Sequence, residues 1–165
     1  VGLKNLFKKN ERTVAETLNF KMPITGRLIS IEEVPDPVFS EKMMGDGFAI
    51  EPTEGKVYAP VAGKILNVFP TKHAIGMQTA CGLEILIHFG MDTVELDGKG
   101  FTAHIEKGQT VAQGDLLLEV NLESIREQVP SLITPIVFTN LGDRIVELKK
   151  IGQLNYGEED ILEIQ

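Results

Sequence analysis

"APVAGKILNV", residues 59–68, repeats the order of "MPITGRLISI", residues 22–31: proline, a β-branched residue, one variable position, glycine, a basic residue, then two aliphatics. Each copy reads as a turn feeding a strand. The proline cannot donate into a hydrogen-bond ladder and so ends pairing, and the glycine permits a bulge or tight bend. Two copies predict two related sheet halves packed face to face. A third turn-strand unit, "EKGQTVAQGDLLLEV" (106–120), carries glycines before two strands. From Phe20 onward the same texture of short β-branched runs broken by glycine and proline predicts an all-β chain, an antiparallel β-sandwich or barrel. The strand-like runs are 26–31, 47–51, 56–58, 63–69, 73–79, 83–88, 109–111, 115–121, 134–138 and 161–164. One or two short helices are expected between them. "DPVFSEKMM" offers Asp36 as N-cap and Pro37 at the first helical position, closing at Gly45, and "NLESIREQV" begins at the cap-like Asn121.

At 165 residues the chain is the size of one domain. Its 42% hydrophobic and 24% charged residues are those of a globular body, and no window approaches the eighteen or more apolar residues of a membrane helix. The net charge of -8 argues against a nucleic-acid partner, because phosphate backbones demand a basic face. A single cysteine, Cys81, cannot form an internal disulfide, and no secretory signal opens the chain, so the expected address is cytoplasmic.

Residues 1–16, "VGLKNLFKKNERTVAE", stand apart from the single domain expected over 17–165. Leu3, Leu6 and Phe7 fall at helical spacing, with Lys4, Lys8 and Lys9 around the remaining circumference. The segment reads as an amphipathic or disordered tail, able at most to touch an anionic bilayer weakly, since helices this short are marginal in water.

Only three histidines occur, and two flank one apolar hairpin. In "LEILIHFG" (83–90) the period of two puts Leu83, Ile85, Ile87 and Phe89 on the interior face and Glu84, Leu86 and His88 on the other. Antiparallel pairing of 73–79 with 83–88, through a turn centred between Ala80 and Cys81, sets His73 opposite His88. Two neutral imidazoles held together suit metal binding or phosphoryl transfer, because one ring offers a lone pair for attack while the other donates a hydrogen bond to what is attached. Zinc would need a third ligand, which His104 or Asp92 would have to supply, and neither a His-x-His nor a His-Glu-x-x-His motif is present. No Gly-x-x-x-x-Gly-Lys-Ser/Thr loop occurs either, so a phosphoryl group would have to come from another protein. Val38, Phe39, Met43, Met44, Phe69, Leu86 and Val94 surround the pair in sequence and are expected to form a partly exposed apolar ring for docking partners.

"HFGMDTVELDGKGF" (88–101), supported by "VPDPVFSEKMMGDGFAI" (34–50), "VYAPVAGKI" (57–65) and "TKHA" (71–74), resembles enzyme IIA of the glucose class in the bacterial sugar phosphotransferase system. The resemblance spans about residues 18–165. It implies a β-sandwich of the duplicated-hybrid type and a phosphohistidine carrier, a phosphotransferase component without turnover on a small molecule by itself. It further implies that His88 accepts the phosphoryl group on Nε2 from phosphorylated HPr and passes it to the cysteine of a sugar-specific IIB domain. His73 is then the helper and Thr71 orients it. The Gly90 carbonyl accepts a hydrogen bond from the Nδ1–H of His88, and Asp92 shapes the rim. No cofactor is required, the phosphoryl group being covalent on His88. With its own amphipathic segment and an end at Gln165, the chain is expected to be a free-standing carrier.

Two other readings accompany this one. A zinc metallopeptidase is the rival from a different class, since some peptidoglycan-cleaving enzymes share the duplicated-hybrid architecture. An interaction module that regulates transporters or metabolic enzymes by its phosphorylation state is compatible with the carrier. The sugar is not legible, because specificity lies in the partner permease.

Overall fold

The computed structural model describes residues 18–165. The expectation of a separate tail over 1–16 lies outside the described residues. Thirteen strands carry the fold of the described residues, beginning with β1 (Gly26–Ser30), β2 (Asp46–Pro52), β3 (Lys56–Tyr58), β4 (Gly63–Val68), β5 (Ala74–Gln78) and β6 (Glu84–His88). They continue with β7 (Phe101–Ala103), β8 (Thr110–Val111), β9 (Leu116–Val120), β10 (Thr134–Phe138), β11 (Val146–Leu148), β12 (Gly152–Leu154) and β13 (Leu162–Ile164). All pairings are antiparallel, and the chain is the β-sandwich its composition predicts. The main sheet has eight strands in the order β12-β1-β2-β10-β6-β5-β4-β8, with a three-stranded sheet β3-β9-β7 and the pair β11-β13 beside it.

The sequence repeat accounts for this order. The two copies feed β1 and β4, which occupy the second place from either edge of the eight-stranded sheet, with β10 and β6 at its centre. The turns before them exchange backbone bonds reciprocally: Tyr58 N–H donates to the Pro23 carbonyl at 2.9 Å, and Lys21 N–H, at the equivalent place in the other copy, donates to the Pro60 carbonyl at 3.0 Å. The two glycines also match. A Cβ on Gly26 would stand 2.4 Å from the Glu51 carbonyl oxygen, and one on Gly63 would stand 2.4 Å from that of Gln78, so at both strand starts the neighbouring backbone comes too close for any side chain. The two halves also join edge to edge within one hydrogen-bonded sheet, and Leu28, Phe48 and Ile50 of one share a core with Ile65, Ile75 and Met77 of the other.

That sheet is buried on both sides. Alternation along β6 sends Ile85 and Ile87, with the flanking Leu83 and Phe89, into the main core beside Phe48, Ile65, Ile136 and Phe138. Leu86 points the other way, yet it too is buried, in a second cluster with Ile29, Ala49, Ala74 and Val137. The chain over residues 31–41 folds across this face and seals it with Ile31, Val34 and Phe39.

Two short helices form among the described residues. In α1 (Pro37–Ser40) the Asp36 carboxylate accepts from Val38 N–H at 2.9 Å and Pro37 takes the first turn, as its sequence predicts. The helix stops at Ser40, short of the expected end at Gly45, because Lys42 turns the chain with φ 60°. In α2 (Leu122–Ile125) Asn121 caps the Ser124 N–H at 3.2 Å. No helix among the described residues is long and apolar enough to cross a membrane.

Candidate functional site

The hairpin of β5 and β6 brings His73 and His88 together by a register different from the expected one. Ala74, not His73, lies opposite His88, and Gly76 lies opposite Leu86, so the turn is centred on Cys81. Thr79 N–H donates to the Leu83 carbonyl at 2.9 Å, and Gly82 adopts φ 92°, the left-handed third residue of a three-residue hairpin loop. With small Ala74 as its cross-strand neighbour, His88 has space on its own face. His73 precedes β5, just after Lys72 at φ 60°, and is thereby released from the strand's alternation. The two imidazoles meet edge to face, with ring centroids 4.9 Å apart and planes at 83°.

Each ring has one nitrogen already engaged. His88 Nδ1 lies 2.9 Å from the Gly90 carbonyl oxygen, which can only accept, so the proton sits on Nδ1 and the lone pair on Nε2. His73 Nδ1 lies 2.6 Å from the Thr71 hydroxyl. When that hydroxyl donates, the neutral His73 ring carries its proton on Nε2. One ring thus offers a nucleophile and the other a donor.

Gly90 is held in place from behind. It has φ 71°, and a Cβ there would come within 2.7 Å of Thr93 Cγ2 and 3.2 Å of the Ser131 carbonyl oxygen. Its N–H donates to Thr134 Oγ1 at 3.3 Å, while Thr93 Oγ1 donates to the Phe89 carbonyl at 2.6 Å. Gly90→Ala is accordingly expected to cost about 1–3 kcal/mol through left-handed backbone strain and to pull the carbonyl from His88. A lower melting temperature together with a displaced His88 Nδ1 proton resonance would be observed, and an unshifted resonance would contradict the contact.

Aromatic walls complete the pair: the Phe39 ring centroid lies 5.1 Å from that of His88, and Phe69 meets His73 edge-on at 5.4 Å. His73 is buried at 4% exposure, and His88 is half-buried. Burial pushes the His73 imidazole down to about 4, with the neighbouring His88 adding to the shift. Burial also lowers His88, opposed by its hydrogen bond to Gly90 and by the charges of Asp36 and Asp92. Both rings are neutral at pH 7. Because the folded His73 binds its proton less readily than an unfolded imidazole, its contribution to stability is complete above about pH 6.5 and is lost as the pH falls toward about 4. The ring nitrogens of His73 should keep the chemical shifts of the neutral form from pH 8 down to about 5.5. Titration with a midpoint near 6.5 would refute that environment.

The expected apolar ring divides into two parts. Val38, Met43, Met44 and Val94 are exposed, and Phe69 is half-buried. Phe39 and Leu86, at 5% and 9% exposure, are corrected from rim to floor, because the 31–41 segment packs Phe39 down onto the sheet face that carries Leu86. Asp92 is exposed at φ 55°, opening the 3-10 turn Thr93–Leu96. Sequence reasoning read Asp36 only as a helix cap; the structure also sets its charge against His88. His104 is not brought to the pair. It lies 3.4 Å from Glu119 beside the three-stranded sheet, and among the described residues no three His, Cys, Asp or Glu side chains are grouped to hold a metal ion. The third ligand that the zinc reading requires is therefore not assembled around His73 and His88.

Comparison with known proteins places the chain in a family. Residues 18–144 match the family model described as phosphoenolpyruvate-dependent sugar phosphotransferase system, EIIA 1. The chain is 46% identical over 158 residues to the PTS system glucose-specific EIIA component of Halalkalibacterium halodurans, covering 95% of this chain and 91% of that protein. It is 56% identical over 132 residues to the PTS system glucosamine-specific EIICBA component of Bacillus subtilis, covering 80% of this chain and 21% of the relative. Among solved structures, glucose permease IIA from Mycoplasma capricolum matches with a TM-score of 0.83 at 46% identity, over 88% of this chain and 94% of that one.

Proposed function

The chain belongs to the EIIA 1 family of the phosphoenolpyruvate-dependent sugar phosphotransferase system, and from that premise we propose that His88 is the residue on which it carries the phosphoryl group. As a component of that system it relays phosphoryl groups from HPr to a IIB domain. The observation that carries the assignment is the complementary engagement of the two rings, with His88 Nδ1 against the Gly90 carbonyl and His73 Nδ1 against the Thr71 hydroxyl.

On acceptance, the Nε2 lone pair of His88 attacks phosphorus, a P–N bond forms, and the bond from phosphorus to the donor breaks with its electron pair returning to the donor. The proton stays on Nδ1, donated in a hydrogen bond to the Gly90 carbonyl, so no base is needed. The His73 Nε2–H meets the phosphoryl oxygens as a donor fixed before the group arrives, which is preorganised electrostatic stabilisation. On the onward step a IIB cysteine sulfur attacks, the P–N bond breaks, and its pair returns to Nε2. The lone pair is supplied by a neutral imidazole and the reaction requires no cofactor.

Val38, Met43, Met44 and Val94 are proposed as the apolar rim on which HPr and IIB dock in turn, with Phe69 at its inner edge and Phe39 and Leu86 supporting the rings from below. Asp92 and Asp36 add negative charge near the site for basic partners. Residues 17–165 are proposed to be one carrier domain acting in the cytoplasm. Incubation with enzyme I, HPr and labelled phosphoenolpyruvate tests the reading: label equivalent to one phosphoryl group per chain supports it, and label that requires no HPr speaks against it.

A further inference from the structure

Five methionines occur in the chain, and the fold divides them sharply. Met22, Met77 and Met91 are 1%, 0% and 4% exposed, whereas Met43 is 69% and Met44 is 41% exposed. Both exposed thioethers sit in the turn that follows α1, a turn tied back to that helix by Lys42 N–H to the Phe39 carbonyl at 3.0 Å and Met43 N–H to the Val38 carbonyl at 3.1 Å. The same helix presents Phe39 to the His88 ring. The only thioethers that solvent reaches are thus carried by the element that walls the phosphoryl site.

Resting on the carrier reading above, we infer that Met43 and Met44 form a selective oxidation site through which a peroxide lowers phosphoryl exchange by making the docking rim polar. The step is two-electron oxygen transfer. Methionine Sδ attacks one oxygen of hydrogen peroxide, an S–O bond forms as the O–O bond breaks, and the hydrogen on the transferred oxygen passes to the departing hydroxide, which leaves as water. Sulfur is oxidised to the sulfoxide and the peroxide is reduced. A flexible apolar side chain becomes a polar one, a change that reductases reverse. Neither residue belongs to the buried clusters, so the fold has no reason to open when they are modified. The His88 and His73 rings are left chemically intact, so the loss falls on association with partners that must bury this rim.

Cys81 is the other exposed sulfur, and it lies in the β5–β6 turn, at the far end of the hairpin from His88. The test therefore uses the full chain carrying Cys81→Ser, treated with hydrogen peroxide, quenched with catalase and assayed for acceptance from phospho-HPr. Peptide mapping should find one added oxygen on each of Met43 and Met44 while Met22, Met77 and Met91 remain reduced. The second-order rate of acceptance should fall about tenfold, as expected when apolar contact area is lost from a small interface, and methionine sulfoxide reductases should restore it. The variant Met43→Leu/Met44→Leu, measured against its own untreated rate, should be indifferent to peroxide. An unchanged rate with both residues fully oxidised overturns the inference, as does a loss in the leucine variant equal to that of the parent. Untreated protein that takes no label from phospho-HPr would overturn the carrier reading itself, and the inference with it.

Discussion

Phosphoryl acceptance falls to background in His88→Ala, the largest effect expected of any single substitution in this chain. The reason is stoichiometric rather than energetic: on the proposed assignment Nε2 is the atom to which phosphorus bonds, and alanine has nothing to put in its place. No nearby group inherits the role. His73 is buried at 4% exposure with Nδ1 against Thr71, and Asp92 lies on the rim. The variant should remain folded, because the imidazole ends β6 on the half-open face while Ile85, Ile87 and Phe89 keep their places in the core. Label from phosphoenolpyruvate, enzyme I and HPr, read alongside the melting temperature, separates lost chemistry from lost structure. Label that persists undiminished in a folded His88→Ala protein would refute the assignment.

The second large effect is asymmetric between the two half-reactions. In His73→Gln, acceptance from phospho-HPr should survive better than onward transfer to IIB, and the onward rate should fall on the order of 100-fold, the usual cost of one preorganised donor. The asymmetry follows from who positions the phosphoryl group. On acceptance it arrives already oriented by its donor protein, and His88 meets it with a tautomer fixed by Gly90. On the outward step the group must be held in line for the next nucleophile by this chain, and the edge-to-face ring 4.9 Å away is the part proposed to hold it. A glutamine amide can still donate, but from a flexible side chain without the Thr71 hydroxyl to fix it. Single-turnover rates for each half-reaction check the point, and equal losses in both would contradict it.

Much of this site is visible in one sequence, and what is hidden is of one kind. Alternation in "LEILIHFG" assigns the faces of β6 correctly, since Leu83, Ile85, Ile87 and Phe89 enter the main core. Alternation says which way a side chain points and nothing about what lies over it. Leu86 is buried because the 31–41 segment crosses the sheet, a tertiary contact with no local signature. The same contact places Phe39 against His88 and brings the Asp36 charge within its reach. The hairpin register is different, because its signal was present: Gly82 in the third loop position marks a three-residue turn, which moves the pairing by one residue and puts Ala74 opposite His88. The strands β7, β11 and β12, at three residues each, are too short to show a period of two, and their pairing is set by neighbours distant in the chain.

The repeat of proline and glycine was legible as a duplication, but the continuity of its two halves was not. The offset between Pro23 and Pro60 reveals equivalent turns, and only the reciprocal bonds from Lys21 and Tyr58 reveal that the two halves share one sheet.

The account stands on one covalent bond, which nitrogen NMR of the phosphorylated protein reads directly. A phosphorus coupling on Nε2 of His88, with Nδ1 of the same ring still protonated, is the expected result. Coupling on Nδ1 of His88, or on either nitrogen of His73, would contradict it.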